Sequence, residues 1–78
     1  MIDINIEDIE IELEYPRIRV KFEQWISFRI DNFEIEFDLI KYLLDNIDIR
    51  MECIRGSYLT DEEKKILMGK LVDILKGR

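Results

Sequence analysis

One stretch of the chain is written twice, forwards and backwards. From Ile9 to Phe22 the residues can be paired so that partner numbers sum to 31, which sets Ile9 against Phe22, Ile11 against Val20 and Leu13 against Ile18. The intervening positions set Glu10 against Lys21, Glu12 against Arg19 and Glu14 against Arg17. One face of the resulting hairpin is apolar, and the other carries opposite charges across the strands, each pair contributing a few tenths of a kcal/mol. Slipping the register by one residue would put charges on the apolar face, so both faces select the same pairing.

The turn of this hairpin falls on Tyr15-Pro16, where the usual two-residue geometries need a positive φ that tyrosine resists. Two solutions stay open: a cis Tyr15-Pro16 bond in a type VI turn, or a four-residue loop over 14–17 with a trans bond. Upstream, Ile2, Ile4 and Ile6 have the opposite parity from Ile9, Ile11 and Leu13, so a β-bulge at Glu7-Asp8 is expected. Downstream, Ile26, Phe28 and Ile30 keep the parity, with Gln24 the one polar residue on that face. This predicts a long central strand over 17–30. A second hairpin closed by Asp31-Asn32 would then pair Ile30 with Phe33, Phe28 with Ile35 and Ile26 with Phe37.

In the second half, Asp38 is read as the cap of a short helix over 39–45 stopped at Asn46, followed by a fourth strand in which Ile47, Ile49, Met51 and Cys53 alternate with charged residues. A single helix over 39–55 is the rival, since Ile40, Leu43, Leu44, Ile47, Met51 and Ile54 also share one helical stripe. The strand is preferred because Ile49 and Cys53 would lie on the helix's far side. Thr60 with Glu63 three residues on is a capping box, and residues 61–76 read as a helix whose apolar residues cover about two-thirds of its circumference, wider than a one-sided stripe. The expected fold is a single α+β domain over 1–78 in two layers: an antiparallel meander of three strands and a fourth, with a short helix and a C-terminal helix on one face.

The chemical inventory is thin. With no His there is no imidazole base or ligand, and no Ser or Cys has an identifiable activating partner. Asp45-Asn46-Asp48 lacks the Gly and the closing Glu of a calcium loop, and Gly56 has no companion glycine for a phosphate cradle. No cofactor, metal or catalytic residue is expected. Cys53 stands alone, is read as a small buried residue, and suits a reducing compartment; no run is long and apolar enough for a membrane span, nor is the start that of a signal peptide, so the chain is expected in the cytoplasm.

The 18 acidic against 12 basic residues give a net charge of -6, which disfavours direct nucleic-acid binding, and Arg17, Arg19 and Lys21 are neutralised by the facing glutamates. By elimination the leading reading is a small protein-binding module without chemistry of its own. Fifteen Ile with no Ala suggest an A+T-rich gene, hence a phage or mobile-element protein that modulates or inhibits a host protein or nucleoprotein complex. Two alternatives stand beside it: a nucleic-acid mimic, for which residues 1–14 and 31–48 carry six acids each, and a small carboxylate-dependent hydrolase.

Candidate partner-binding residues are Trp25, on the charged face, and the acids around the bulge, Asp3, Glu7, Asp8 and Glu23. Packing of Trp25 on the stem of Arg29 or Lys21 is the alternative for that ring. Strands of 13 or 14 residues would outrun a 16-residue helix, and Ile2, Ile4, Ile26 and Phe28 would then lack cover. A homodimer burying those four residues is therefore expected.

Overall fold

The computed structural model describes residues 3–77. A single 3-10 turn, Ile6–Asp8, leads into three short strands, β1 (Glu10–Glu14), β2 (Arg17–Lys21) and β3 (Trp25–Arg29), and then two helices, α1 (Glu36–Arg55) and α2 (Asp61–Lys76). The sheet is an antiparallel meander in the order β1-β2-β3 with the helices on one face, the α+β arrangement expected.

The first hairpin has the register that the charges and the apolar residues select together, from Glu10 opposite Lys21 to Glu14 opposite Arg17. Its turn carries a cis Tyr15-Pro16 bond, one of the two solutions left open. In place of the bulge at Glu7-Asp8 stands the 3-10 turn. The Asn5 side chain caps it by accepting from the Glu7 N–H at 3.0 Å, and the Asp8 N–H donates to Asn5 O at 2.9 Å. A full turn, like a bulge, changes the facing of the chain, and it buries Ile6 and Ile9 together.

The long central strand is not formed. The chain reverses at residues 22–24, where the Phe22 N–H donates to Gln24 O at 3.1 Å, and β3 folds back on β2 with Ile18 opposite Phe28 and Val20 opposite Ile26. Partner numbers here sum to 46, so residues of like parity meet and the apolar face is preserved by the fold-back as it would be by a continuous strand. Burial selects between them. Strands of five residues span about 17 Å, which helices of about 24 and 30 Å cover, whereas a 14-residue strand would not be covered.

The expected third strand near 33–37, with its hairpin at Asp31-Asn32, is not formed, since 31–35 make the connection from β3 to α1, and the fourth strand over 47–53 is replaced by α1. Leu39, Leu43, Ile47 and Met51, spaced by four, are all fully buried, and the helix ends at Gly56, whose φ of 82° is left-handed and whose N–H donates to Glu52 O at 2.8 Å. Neither Asp38 nor Asn46 ends a helix. Asp38 lies in the first turn, and the Asn46 amide donates to Tyr42 O at 2.8 Å from inside the helix. Ile49 and Cys53, the residues that argued for a strand, face solvent, so Cys53 is an exposed thiol rather than a buried one. α2 begins at Thr60 with both halves of its capping box formed, as expected.

The core is continuous across the two layers. Ile18 and Val20 of the sheet and Leu67, Leu71 and Leu75 of α2 are buried with the α1 residues above, and the segment 6–9 closes it at the N-terminal side. At the β3 side, Tyr42 of α1 meets Phe28 edge-on at 6.4 Å between ring centres and Phe33 at 5.0 Å.

Candidate functional site: a groove between the helices

Two exposed apolar side chains mark the outer side of the helix layer. Phe37 opens α1 with 71% of its surface in solvent, and Met68 of α2 has 44%. Between them runs a groove of about 240 Å³ floored by Ile40 and Leu44 and edged by Lys41, Asp45, Asp48 and Lys64. The floor follows from helical spacing. Phe37, Ile40 and Leu44 repeat at three and four residues, about 40–100° around α1 from the midline of the buried stripe of Leu43 and Ile47. α2 supplies the opposite wall through its wide apolar arc, with Leu67 and Leu71 turned into the core and Met68 turned out.

One end of the groove is held by the connection between the helices. Asp48 accepts from the Leu59 N–H at 2.6 Å, and its other oxygen lies 3.9 Å from the Lys64 ammonium. Arg55 donates to Ser57 O and Tyr58 O and makes a two-point pair with Glu63. That guanidinium, with the Thr60 N–H, holds the Glu63 carboxyl down at about 2, well below the usual carboxylate range. The walls are therefore fixed relative to each other by a tight and well-bonded turn.

The residues singled out from the sequence lie elsewhere. Asp3, Asp8 and Glu23 come together around a shallow depression with Lys21 and Phe22, while Glu7 lines a neighbouring one beside Arg55 and Glu63. Among the described residues no group of three acidic or cysteine side chains is arranged to hold a metal ion. Trp25 does lie on the charged face of the sheet, half-buried, but it is covered by the Arg19 guanidinium at 4.4 Å from its ring centre, with the Lys21 ammonium at 5.8 Å. Arg29, whose stem is the other candidate cover for that ring, is engaged with Asp31 instead, at 2.6 and 2.9 Å. Arg19 also reaches Glu14 at 2.9 Å and Lys21 reaches Glu10 at 3.6 Å, so the outer sheet face is an internally paired ladder.

Of the residues named for a dimer, Ile4, Ile26 and Phe28 are half-buried, Ile4 and Phe28 against the core, and Ile2 lies outside the described residues. The fold-back at 22–24 removes the bare patch that their exposure required. The sequence carried one sign of the groove, the width of the α2 arc. Phe37 carries no such sign, because the alternation over 33–37 points to a strand.

No protein-family model, curated protein or solved structure matches the chain. No helix among the described residues is long and apolar enough to cross a membrane.

Proposed function

We propose that the chain is a protein-binding module without catalytic chemistry, and that it docks its partner through the groove between α1 and α2. The observation that carries this is the placement of Phe37 and Met68 beside an apolar floor. Exposed rings and thioethers around a concave surface give up water readily and adapt to an inserted apolar side chain. The mixed charges at the rim, Lys41 and Lys64 with Asp45 and Asp48, supply orientation without a strong preference for one sign of partner. A further depression, lined by Leu13, Tyr15, Ile30 and Phe33, is larger and more open and offers less contact to a single side chain. An unpaired, exposed Cys53 is consistent with action in a reducing cytoplasm. In this reading the module modulates a protein or nucleoprotein assembly by occupying one of its surfaces.

Site-specific photo-crosslinking tests it. A photoreactive residue at position 37 should yield protein adducts in the source cell, and Met68→Glu, at an exposed wall of the groove, should abolish them while leaving the helical circular dichroism unchanged. Adducts formed from position 12 on the outer sheet face, with none from position 37, would move the docking surface to the sheet and overturn the proposal.

A further inference from the structure

The exposed ridge of α1 is complementary to its own reverse. Phe37, Lys41, Asp45 and Ile49 follow one another at intervals of four along one inclined ridge, which winds about 120° around the helix from Phe37 to Ile49, and all four are solvent-exposed, Ile49 by 57%. The row is apolar, cationic, anionic, apolar. Neither Lys41 nor Asp45 enters an ion pair among the described residues. Their order along the helix, cation before anion, is also the weaker one for pairing within a single helix.

We infer that the first occupant of this face is a second copy of the chain, related by a two-fold axis that passes beside the midpoint between Lys41 and Asp45. Antiparallel α1 helices that cross at about 50°, the angle at which two such ridges run together, then meet with partner numbers summing to 86. Lys41 faces Asp45 of the second copy and Asp45 faces its Lys41, while Phe37 and Ile49 close over each other at both ends. The contact extends from Phe37 to Ile49, about 18 Å of helix. Every residue of the row finds a complement, and the two-fold operation uses each pairing twice, as an isologous interface requires. Phe37, Lys41 and Asp45 also edge the groove, so Leu44 and Met68 border the same contact. This deepens the docking reading above by naming its partner, and it transfers the expected homodimer from the half-buried Ile4, Ile26 and Phe28 to residues that solvent reaches.

The charge order makes the test specific. Lys41→Asp sets two acids against two acids, and Asp45→Lys sets two bases against two bases. Sedimentation equilibrium of the parent chain from micromolar to millimolar concentration should show a species of twice the 9.5 kDa chain mass. Each single variant should weaken its formation at least about tenfold, since like charges come face to face. An equimolar mixture of the two single variants should recover the dimer as a heterodimer, and the double variant Lys41→Asp with Asp45→Lys should recover it alone. All four positions are exposed, so the fold is not at stake, and circular dichroism checks this. A parent chain that stays monomeric throughout, or a dimer indifferent to either single charge change, would overturn the inference. Photo-adducts from position 37 to another protein, formed by a monomeric chain, would overturn it while leaving the docking reading standing.

Discussion

Arg55 and Glu63 are joined twice across the turn between the helices, Nη1 to Oε2 at 2.8 Å and Nη2 to Oε1 at 2.6 Å. The same carboxylate accepts from the Thr60 N–H at 3.0 Å, so one side chain closes the capping box of α2 and ties it to the last turn of α1. The pair is only 14% and 21% exposed, which separates it from the surface ion pairs of the sheet.

That arrangement predicts a dependence of stability on pH. The Glu63 carboxyl is lowered from 4.5 to about 2 in the folded chain, so its contribution is complete above the unfolded value of 4.5 and is lost as pH falls from there through the folded value. After allowance for the remaining exposure of the side chain, the contribution at neutral pH is about 2 kcal/mol. Urea midpoints should therefore fall between pH 4.5 and pH 2 more steeply for the parent than for Glu63→Gln. Parallel curves for the two proteins over that interval would refute the assignment.

Lys70 makes the other long tie in the molecule. From α2 its ammonium donates to Ile6 O at 3.2 Å, Glu7 O at 2.6 Å and Ile9 O at 3.0 Å, collecting carbonyls around the end of the 3-10 turn, of which Ile6 O also accepts from the Ile9 N–H. Lys70→Met keeps the stem but leaves those carbonyls to water, at a cost of about 1–3 kcal/mol. The loss should concentrate at the N-terminal segment. Hydrogen exchange at the Asp8 and Ile9 amides, which donate to Asn5 O and Ile6 O, should quicken more than at Val20 in the sheet.

Trp25 is the chain's one tryptophan, which makes its contact with Arg19 directly visible. Arg19→Gln removes a cation from the ring face and one arm of the Glu14 pair. The expected outcome is a red shift of the fluorescence emission as water replaces the guanidinium, with a stability loss of about 0.5–1 kcal/mol. An unchanged spectrum would show that the ring does not depend on Arg19 for its cover.

How far the sequence discloses this structure depends on whether two independent patterns agree. Over Ile9 to Phe22 the apolar positions and the charge pairs both demand the same register, and the strands form in it. At α2 the capping box, the acidic first turn and the apolar arc likewise agree. Parity alone is a weaker guide: Ile18, Val20, Ile26 and Phe28 lie on one face whether the chain continues or reverses at 22–24, and only the need to cover them selects the reversal. The polar Glu23-Gln24 step was the available sign. Over 47–53 alternation and helical spacing fit the same residues, and burial of Leu39, Leu43, Ile47 and Met51 as one stripe outweighs leaving Ile49 and Cys53 in water. The groove was legible only by half, because a helical face built from Phe37 and Leu44 has no counterpart when Phe37 is placed in a strand.

Two neighbouring residues of α2 divide the work of core and surface, and substitution should separate them. Leu71 is fully buried, and Leu71→Ala would leave a cavity between the layers costing about 2–5 kcal/mol, a large share of the stability of so short a chain. Met68, one turn earlier, is turned out to the groove with 44% of its surface in water, so Met68→Ala removes fewer buried contacts and should cost no more than about 1 kcal/mol. Thermal or urea unfolding of the two variants checks the stability half. The binding half is read by crosslinking from position 37, which should weaken in Met68→Ala although the fold is intact. If Met68→Ala destabilised the chain as severely as Leu71→Ala, Met68 would belong to the core, and the groove would lose one of its walls.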